Sequence, residues 1–343
     1  MPDRTGATAL EDLPGEIIDM ILTRLPPKDV GRCRAVSTSW RGATSTSEFM
    51  LEHHRRQPLL PIIDGQGRPA SFVVLRDAGA RASTQPLLSF LPGARNRSKN
   101  HLCASCDGFL IITYDRSRFY ICNPVTCKQA PLPQVGQDFH NTVIGFYRHH
   151  PTGEYRVLSV SLSENFSKCS LYVLTVGSNE PRHVAVTMPA VLSPSVEHKL
   201  LVELRSSIHY QPPVHHNGSL HWCTYFSKDI MGGGGTTGGG GDILVFDTEA
   251  ESFRLMRGPA QTGMNRKLFN MKGKLAFWGS SALSSYDISV WVMQDYKAGI
   301  WVLKYRIDLL KVEASRQLYF TSSKKKTNTR LDSAMQCCCA QRA

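Results

Sequence analysis

Nothing in this chain approaches the roughly 18 consecutive apolar residues that a membrane helix needs. Its first stretch, Met1 to Gly15, lacks a basic start followed by an apolar core, so no secretory leader is expected. Both absences point to the cytoplasm or nucleus and to no membrane partner. Thiols stay reduced there, so the ten cysteines are expected to be free and the sequons at Asn96, Asn165 and Asn217 to be irrelevant. Catalytic signatures are missing too. There is no Gly-x-Ser-x-Gly elbow, no His-Glu-x-x-His and no dinucleotide glycine motif, so no catalytic residue and no cofactor are expected. The chain is also short of acid, with 28 Asp and Glu against 40 Lys and Arg and a net charge of +12. That surplus is spread through strand-like segments, without an RNA-binding signature or zinc-finger spacing. An ordinary basic surface or an acidic protein partner explains it better than nucleic acid.

What is present first is helical. Leu13, Ile17, Ile18, Ile21, Leu22 and Leu25 recur at helical spacing and give one apolar stripe. Pro14 suits a first helical turn and Glu16 the positive helix end. The Pro26-Pro27 pair stops that helix. A second helix is expected over Lys28 to Val36, and Ser37 is a fitting N-cap for a third that carries Trp40 and continues towards Phe49. Three helices in about 45 residues enclose too little volume for Leu13, Ile17, Ile18, Ile21, Leu25, Val30, Val36 and Trp40 together. Part of that apolar area needs cover from another surface, and a groove on a partner is a natural one.

From about Pro58 the grammar changes to short runs rich in Val, Ile, Phe, Tyr and Trp, separated by Gly, Pro, Asn and Asp. That is the pattern of an all-β sandwich, barrel or propeller. A turn glycine followed two residues later by leucine recurs at Gly108, Gly218 and Gly273, spaced 110 and then 55 residues apart, as if a degenerate copy sat between the first two. Each is followed by a strand ending in Asn123, Asp247 or Asp295. A period of about 50 residues suits one four-stranded propeller blade. Residues 232–241, nearly all glycine, lack the Gly-Lys-Ser/Thr ending of a phosphate loop and read as a flexible insert. Cys103, Cys106, Cys122 and Cys127 approach zinc spacing, yet small core residues are the better reading. His149-His150 and His215-His216 sit at expected turns, where surface histidines are common. The last residues, 321–343, with Lys324–Lys326 and Cys337–Cys339, read as an untethered basic tail.

The run Leu13-Pro14-Gly15-Glu16-Ile17-Ile18, then Leu25-Pro26-Pro27-Lys28-Asp29-Val30, Arg32-Cys33-Arg34-Ala35-Val36-Ser37 and Ser39-Trp40-Arg41, closely resembles a plant F-box, with Phe49 and His53 falling where such boxes continue. The rest resembles the F-box-associated region behind many plant F-boxes. It does so through Ser105–Leu110, Asn123–Thr126, Gly145–Tyr147, Gly153–Val157, Asn217–Trp222, Phe246–Glu249 and Ser289–Met293, in the family's order. The resemblance implies an α+β multidomain chain. A small three-helix F-box over 10–56, after a disordered 1–9, precedes an all-β, propeller-like and incomplete domain over 57–320. The pattern fades after Arg306-Ile307, and about 265 residues at roughly 45 per blade leave five or six blades at most. It also implies a non-catalytic substrate-recognition subunit of a Skp–cullin–F-box ubiquitin ligase. Leu13 and Pro14 would insert at the edge of the Skp-type adaptor, Ile17, Ile21 and Leu25 with Pro26 would line the interface, and Val30, Val36 and Trp40 would complete it. The β domain would capture a protein substrate of unknown identity. A carbohydrate- or nucleic-acid-binding β module acting outside a ligase, or a truncated member that binds nothing, is the alternative.

Overall fold

The computed structural model of the chain describes residues 13–57, 62–63, 71–74, 83–86, 101–113, 118–124, 128–134, 140–163, 168–186, 194–207, 212–223, 240–260, 266–280 and 286–313. The expected disordered start, the tail over 321–343 and the bulk of the glycine-rich insert lie outside the described residues, as does a further strand considered at Gln317–Phe320. The chain divides into two compact units, Met1–Leu59 and Leu60–Ala343.

Among its described residues the first unit holds four helices where three were expected: α1 Gly15–Leu22, α2 Pro27–Val36, α3 Thr38–Ala43 and α4 Ser47–Arg56. Pro14 and Pro26 stand just outside α1 and α2, and Pro27 opens α2 where its missing N–H is no loss. Ser37 caps α3 as its sequence suggests, its Oγ accepting from the Trp40 N–H at 3.3 Å. The expected long third helix is broken because two threonines offer the backbone better partners. Thr44, fully buried, donates its hydroxyl to the Trp40 carbonyl at 2.6 Å and ends α3. Thr46 then accepts from the Phe49 N–H at 3.2 Å and starts α4.

The second unit is built of antiparallel sheets whose strands follow one another in sequence. Sheet A holds β1 Ile62–Ile63, β2 Ser71–Val74 and β3 Ser83–Pro86. Sheet B holds β4 His101–Cys106, β5 Phe109–Thr113, β6 Phe119–Asn123 and β7 Lys128–Pro131. Sheet C holds β8 His140–Arg148, β9 Tyr155–Leu162, β10 Cys169–Thr175 and β11 Arg182–Val184. Sheet D holds β12 Val214–His216, β13 Ser219–Cys223, β14 Gly240–Asp247 and β15 Ser252–Ala260. Sheet E holds β16 Arg266–Met271, β17 Lys274–Ser280, β18 Asp287–Asp295 and β19 Ile300–Asp308. Four such four-stranded meanders are the blades of a propeller-like domain, and no closed sheet joins them among the described residues. Gly240 and Gly241 already belong to β14, so the glycine-rich stretch is shorter as an insert than its composition suggests.

The recurring glycine has a local cause. Asp107-Gly108, Asn217-Gly218 and Lys272-Gly273 each place two successive residues at positive φ, between 46° and 83°. This is the two-residue turn that matches strand twist in a hairpin. Each opens a blade, between the first and second strands of sheets B, D and E. Sheet C is the degenerate copy between them, its first turn lengthened to residues 149–154 with Gly153 at φ 71°. The Asp residues at the third-strand ends have a reason as well. Asp247 Oδ1 accepts from the N–H groups of Glu249 and Ala250 at 2.9 and 2.8 Å, and Asp295 Oδ1 from that of Ala298 at 2.9 Å.

Successive sheets pack face to face. In β14, Leu244 and Phe246 enter the core shared with sheet C, while Ile243 and Val245 enter the core shared with sheet E. The fully buried Trp222 of β13 donates to the Ile144 carbonyl of β8 at 3.2 Å. Gly145, at a bulge in β8, permits the approach, since a Cβ there would sit 2.6 Å from Leu220 Cδ1. Helix α5, Pro194–Ser207, leads from sheet C to sheet D and was not expected. Its Leu200, Leu201 and Leu204 fill the core between those sheets. Their i, i+1, i+4 spacing after Pro194 is the signal that could have found it.

Candidate functional site

Two regions of the chain carry surfaces suited to binding, and each is described within its own unit. In the helical unit, α1 is apolar on two sides. Ile18, Leu22 and Leu25 turn inward and pack with Val30, Cys33, Trp40 and Phe49. Phe49 and His53 stack with ring centroids 5.7 Å apart, and His53 Nε2 lies 2.8 Å from the Leu25 carbonyl, which ties α4 to the end of α1. On the other side Ile17, Met20 and Ile21 stand exposed at i, i+3, i+4, with Ile21 at 38%. That face is an apolar strip that the unit's own core leaves uncovered.

The expected contact residues distribute unevenly over these two sides. Ile17, Ile21, Pro14 and Pro26 are exposed, and Val36, at the end of α2, is 78% exposed. Leu13, Leu25 and Trp40 are half-buried, the last two in the core. Val30 is buried at 6% beside Leu22 and Phe49, so it supports the surface from beneath and does not form it. Met20 and Met50, both exposed, were missed by the sequence reading, although Met20 continues the stripe of Ile17 and Ile21.

In the β unit the two ends of the blades differ. A four-stranded meander puts its first and third turns at one end and its second turn and exit at the other. At the first end the turns are short and cross-linked between sheets. Glu251, in the turn before β15, accepts from Tyr147 Oη at 2.8 Å, from Arg156 Nη1 at 2.7 Å and from Arg182 Nη2, and so fastens sheet D to sheet C. Burial opposes ionisation of this carboxyl, yet the bonds from Arg182, Arg156 and Tyr147 hold it below the usual carboxylate range. Tyr155 Oη donates to Asp107 Oδ2 at 3.2 Å, joining sheet C to sheet B. Tyr296, in the turn before β19, joins sheet E to sheet D. Its hydroxyl lies 2.7 Å from His221 Nε2 and accepts from Arg254 Nη2 at 2.8 Å. The other His221 nitrogen, Nδ1, lies 3.0 Å from the Val214 carbonyl and must donate there, so Nε2 accepts from the tyrosine. Burial pushes this imidazole down to about 3, keeping it neutral.

The opposite end carries the longer connections: 114–118, 132–139, 163–168, 185–213 with α5, 224–239, 261–265 and 281–286. Among the described residues there, Phe119, Leu132, Pro133 and Gln134 of sheet B and Asn141, Val143, Val157, Ser159 and Leu174 of sheet C line a shallow cleft.

The remaining candidates are structural. Cys106 closes β4 and Cys122 lies in β6; burial pushes the Cys122 thiol up to about 11 and that of Cys106 higher still, so both stay protonated. Cys127 lies outside the described residues, and no group of three His, Cys, Asp or Glu among the described residues could hold a metal ion. Of the four histidines expected at turns, His150 is exposed and the other three are less exposed than turns suggest. His149 is buried, its Nδ1 2.9 Å from Thr152 Oγ1, and His215 and His216 are half-buried. No helix among the described residues is long and apolar enough to cross a membrane.

Known families place both units. The F-box domain matches residues 10–51, and the family described as F-box associated beta propeller domain matches residues 90–330, well over half of the chain. Among curated relatives, the F-box protein At1g52495 of Arabidopsis thaliana is 25% identical over 84% of this chain and 67% of its own length. The F-box protein At3g07870 of the same plant is 26% identical over 84% of this chain and 70% of its own. F-box domains in general bind Skp-type adaptors, and both domain types are typically non-catalytic adaptor modules. Four helices with an uncovered apolar strip, four consecutive antiparallel blades and these matches agree, and the chain belongs to the F-box proteins with an F-box-associated β-propeller domain.

Proposed function

We propose that this chain is the substrate-recognition subunit of a Skp–cullin–F-box ubiquitin ligase, working in the cytoplasm or nucleus. Residues 10–56 dock on the Skp-type adaptor and through it on a cullin, and the β domain over 57–320 captures a protein for ubiquitination. The chain itself transfers nothing; the chemistry belongs to other subunits. The observation that carries this reading is the two-sided α1. Its inner side is spent on the core of Leu22, Val30 and Phe49, yet Ile17, Met20 and Ile21 still face water. In a protein of this family that strip is the place for an adaptor groove, with Leu13, Pro14, Leu25, Pro26, Val36 and Trp40 around it and Val30 beneath. Substrate capture belongs to the β end with the longer connections, since the other end is occupied by its own cross-links.

Exposure makes the test clean. Ile21→Asp puts a carboxylate where water already reaches, so helix content and melting temperature should hold. Docking should fail, because an unpaired charge in an apolar interface costs several kcal/mol, about a thousandfold in affinity. Leu22→Asp, one residue on but buried at 2%, should instead unfold the helical unit. Adaptor pull-down by Ile21→Asp at wild-type strength would remove α1 from the interface.

A further inference from the structure

The exposed apolar side chains of the β unit are confined to one place. Among the described residues, every large hydrophobic that stands exposed there lies within 286–312, on β19 and around its ends. β19 is the last strand of sheet E, and no strand among the described residues pairs with its outer edge. A row of unpaired N–H and C=O groups is a template for another strand. The last strands of the other four-stranded sheets are guarded. β7 is four residues long and ends in Pro131, β11 is three residues long, and β15 carries Gly258-Pro259. β19 runs for nine residues without glycine or proline.

The two faces of this strand differ. Cross-strand neighbours share a face, and Val302, Tyr305 and Ile307 stand opposite Val292, Val290 and Ile288 of β18. All three are exposed, Tyr305 at 50%, and carry an apolar sheet face to its margin. Leu303 stands opposite Trp291, which packs towards sheet D, and Arg306, opposite Ser289, continues that side. Lys304 is the extra residue of a bulge between them. Lys304 and Arg306 are both exposed, and neither has an ion-pair partner among the described residues. Asp308, the one acid on the strand, is already engaged. Its Oδ1 accepts from the N–H groups of Leu310 and Lys311 at 3.0 and 3.2 Å, and its Oδ2 lies 3.3 Å from Lys311 Nζ.

Charge decides what adds to this edge. A second copy would bring the same two cations to the same edge, which is how lysine on an edge strand deters self-pairing. The chain's own residues after Glu313 hold six Lys and Arg against one Asp, so they are repelled as well. An acidic strand is attracted. We propose that β19 is a docking edge for an extended segment of a partner protein in which apolar and acidic residues alternate. The segment's backbone pairs with β19, its apolar side chains lie beside Val302, Tyr305 and Ile307, and its carboxylates reach Lys304 and Arg306. This surface is additional to capture at the blade end with the longer connections and does not depend on it.

The test uses the full chain and two capped ten-residue peptides, one alternating valine with glutamate and the other valine with lysine. Fluorescence anisotropy should show the glutamate peptide binding at least about tenfold more tightly, the worth of two exposed ion pairs. Lys304→Glu combined with Arg306→Glu should reverse the preference. Salt at about 1 M should remove most of it in the wild type, a check that needs no variant. In hydrogen exchange, the β19 amides that do not bond to β18 should exchange freely in the chain alone and slow once the glutamate peptide is bound. Equal affinity for the two peptides, no binding of the glutamate peptide, or a preference that survives the charge swap would each overturn the proposal. So would a bound peptide that leaves those amides fast, because it would be docked without strand pairing. Slow exchange of the same amides in the free monomer would mean that the chain covers its own edge. A dimer that the glutamate peptide disperses would mean that the edge meets a second copy. Either result would replace the acidic partner and overturn the proposal.

Discussion

Glu251 illustrates how much of the β domain rests on single side chains whose partners are remote in sequence. Its carboxylate, with the side chain 11% exposed, meets Tyr147 and Arg156, 104 and 95 residues away. Glu251→Gln keeps an acceptor for Tyr147 but leaves the guanidinium of Arg156, 14% exposed, with only Glu154 to pair it. A loss of about 2 kcal/mol is expected, smaller than for a deeply buried pair because Arg182 is exposed and Arg156 keeps a second carboxylate. The pH dependence follows from the depressed carboxyl. A group ionising more easily in the folded state contributes stability above its unfolded value, about 4.3, and loses it as pH falls through the folded value. Wild type and Glu251→Gln should therefore differ most near neutrality and converge as pH drops below about 4. A constant gap in denaturant midpoint from pH 7 down to pH 3 would contradict this. None of it was legible in the sequence. Glu251 sits among turn residues after Asp247, and nothing local distinguishes a turn glutamate that clamps two sheets from one that faces water.

At the scale of elements, legibility follows how local the cause is. The Asp-Gly and Asn-Gly hairpins, the Ser37 cap and the Pro26-Pro27 break depend on neighbouring residues alone, and each appears where the sequence puts it. The split between α3 and α4 has a local cause too, but a subtler one, since Thr44 and Thr46 compete with helix propagation through their hydroxyls. Thr46→Ala removes the cap that starts α4 and should cost the helical unit about 1 kcal/mol. The reading of four helices predicts that this loss appears in the lower thermal transition followed by far-UV circular dichroism. An unchanged or raised transition would mean that the two helices can run together, as the sequence pattern suggested. Helix α5 escaped notice for a different reason. Its leucines point into a core shared by sheets C and D, so what holds the helix in place lies far away in the sequence. The outward strip of α1 was legible only in part. Composition showed too much apolar area for the volume, whereas only the fold could show that Val30 faces in and that Met20 faces out.

The whole molecule joins a small helical unit to a much larger β unit, and their sizes set what each can withstand. The helical core consists of Leu22, Val30 and Phe49 with a few half-buried neighbours. Among its described residues the β unit has three such cores, each bridging two successive sheets, one of them with a helix as well. Small domains bury a smaller fraction of their surface and are correspondingly marginal. Heating the full chain should therefore give two transitions, the lower one accounting for most of the helical signal. An adaptor that binds only the folded helical unit stabilises it by mass action, about 2.7 kcal/mol at a hundredfold excess over the dissociation constant. In a domain of this size that is a rise of more than ten degrees, at roughly 4–8 degrees per kcal/mol. The upper transition should not move, because the β cores gain no contact. Ile21→Asp should abolish the shift while leaving the adaptor-free melting curve unchanged, since Ile21 lies outside the core. If the adaptor raised both transitions together, the two units would be melting as one, and the helical module would draw its stability from the β domain and not from its partner.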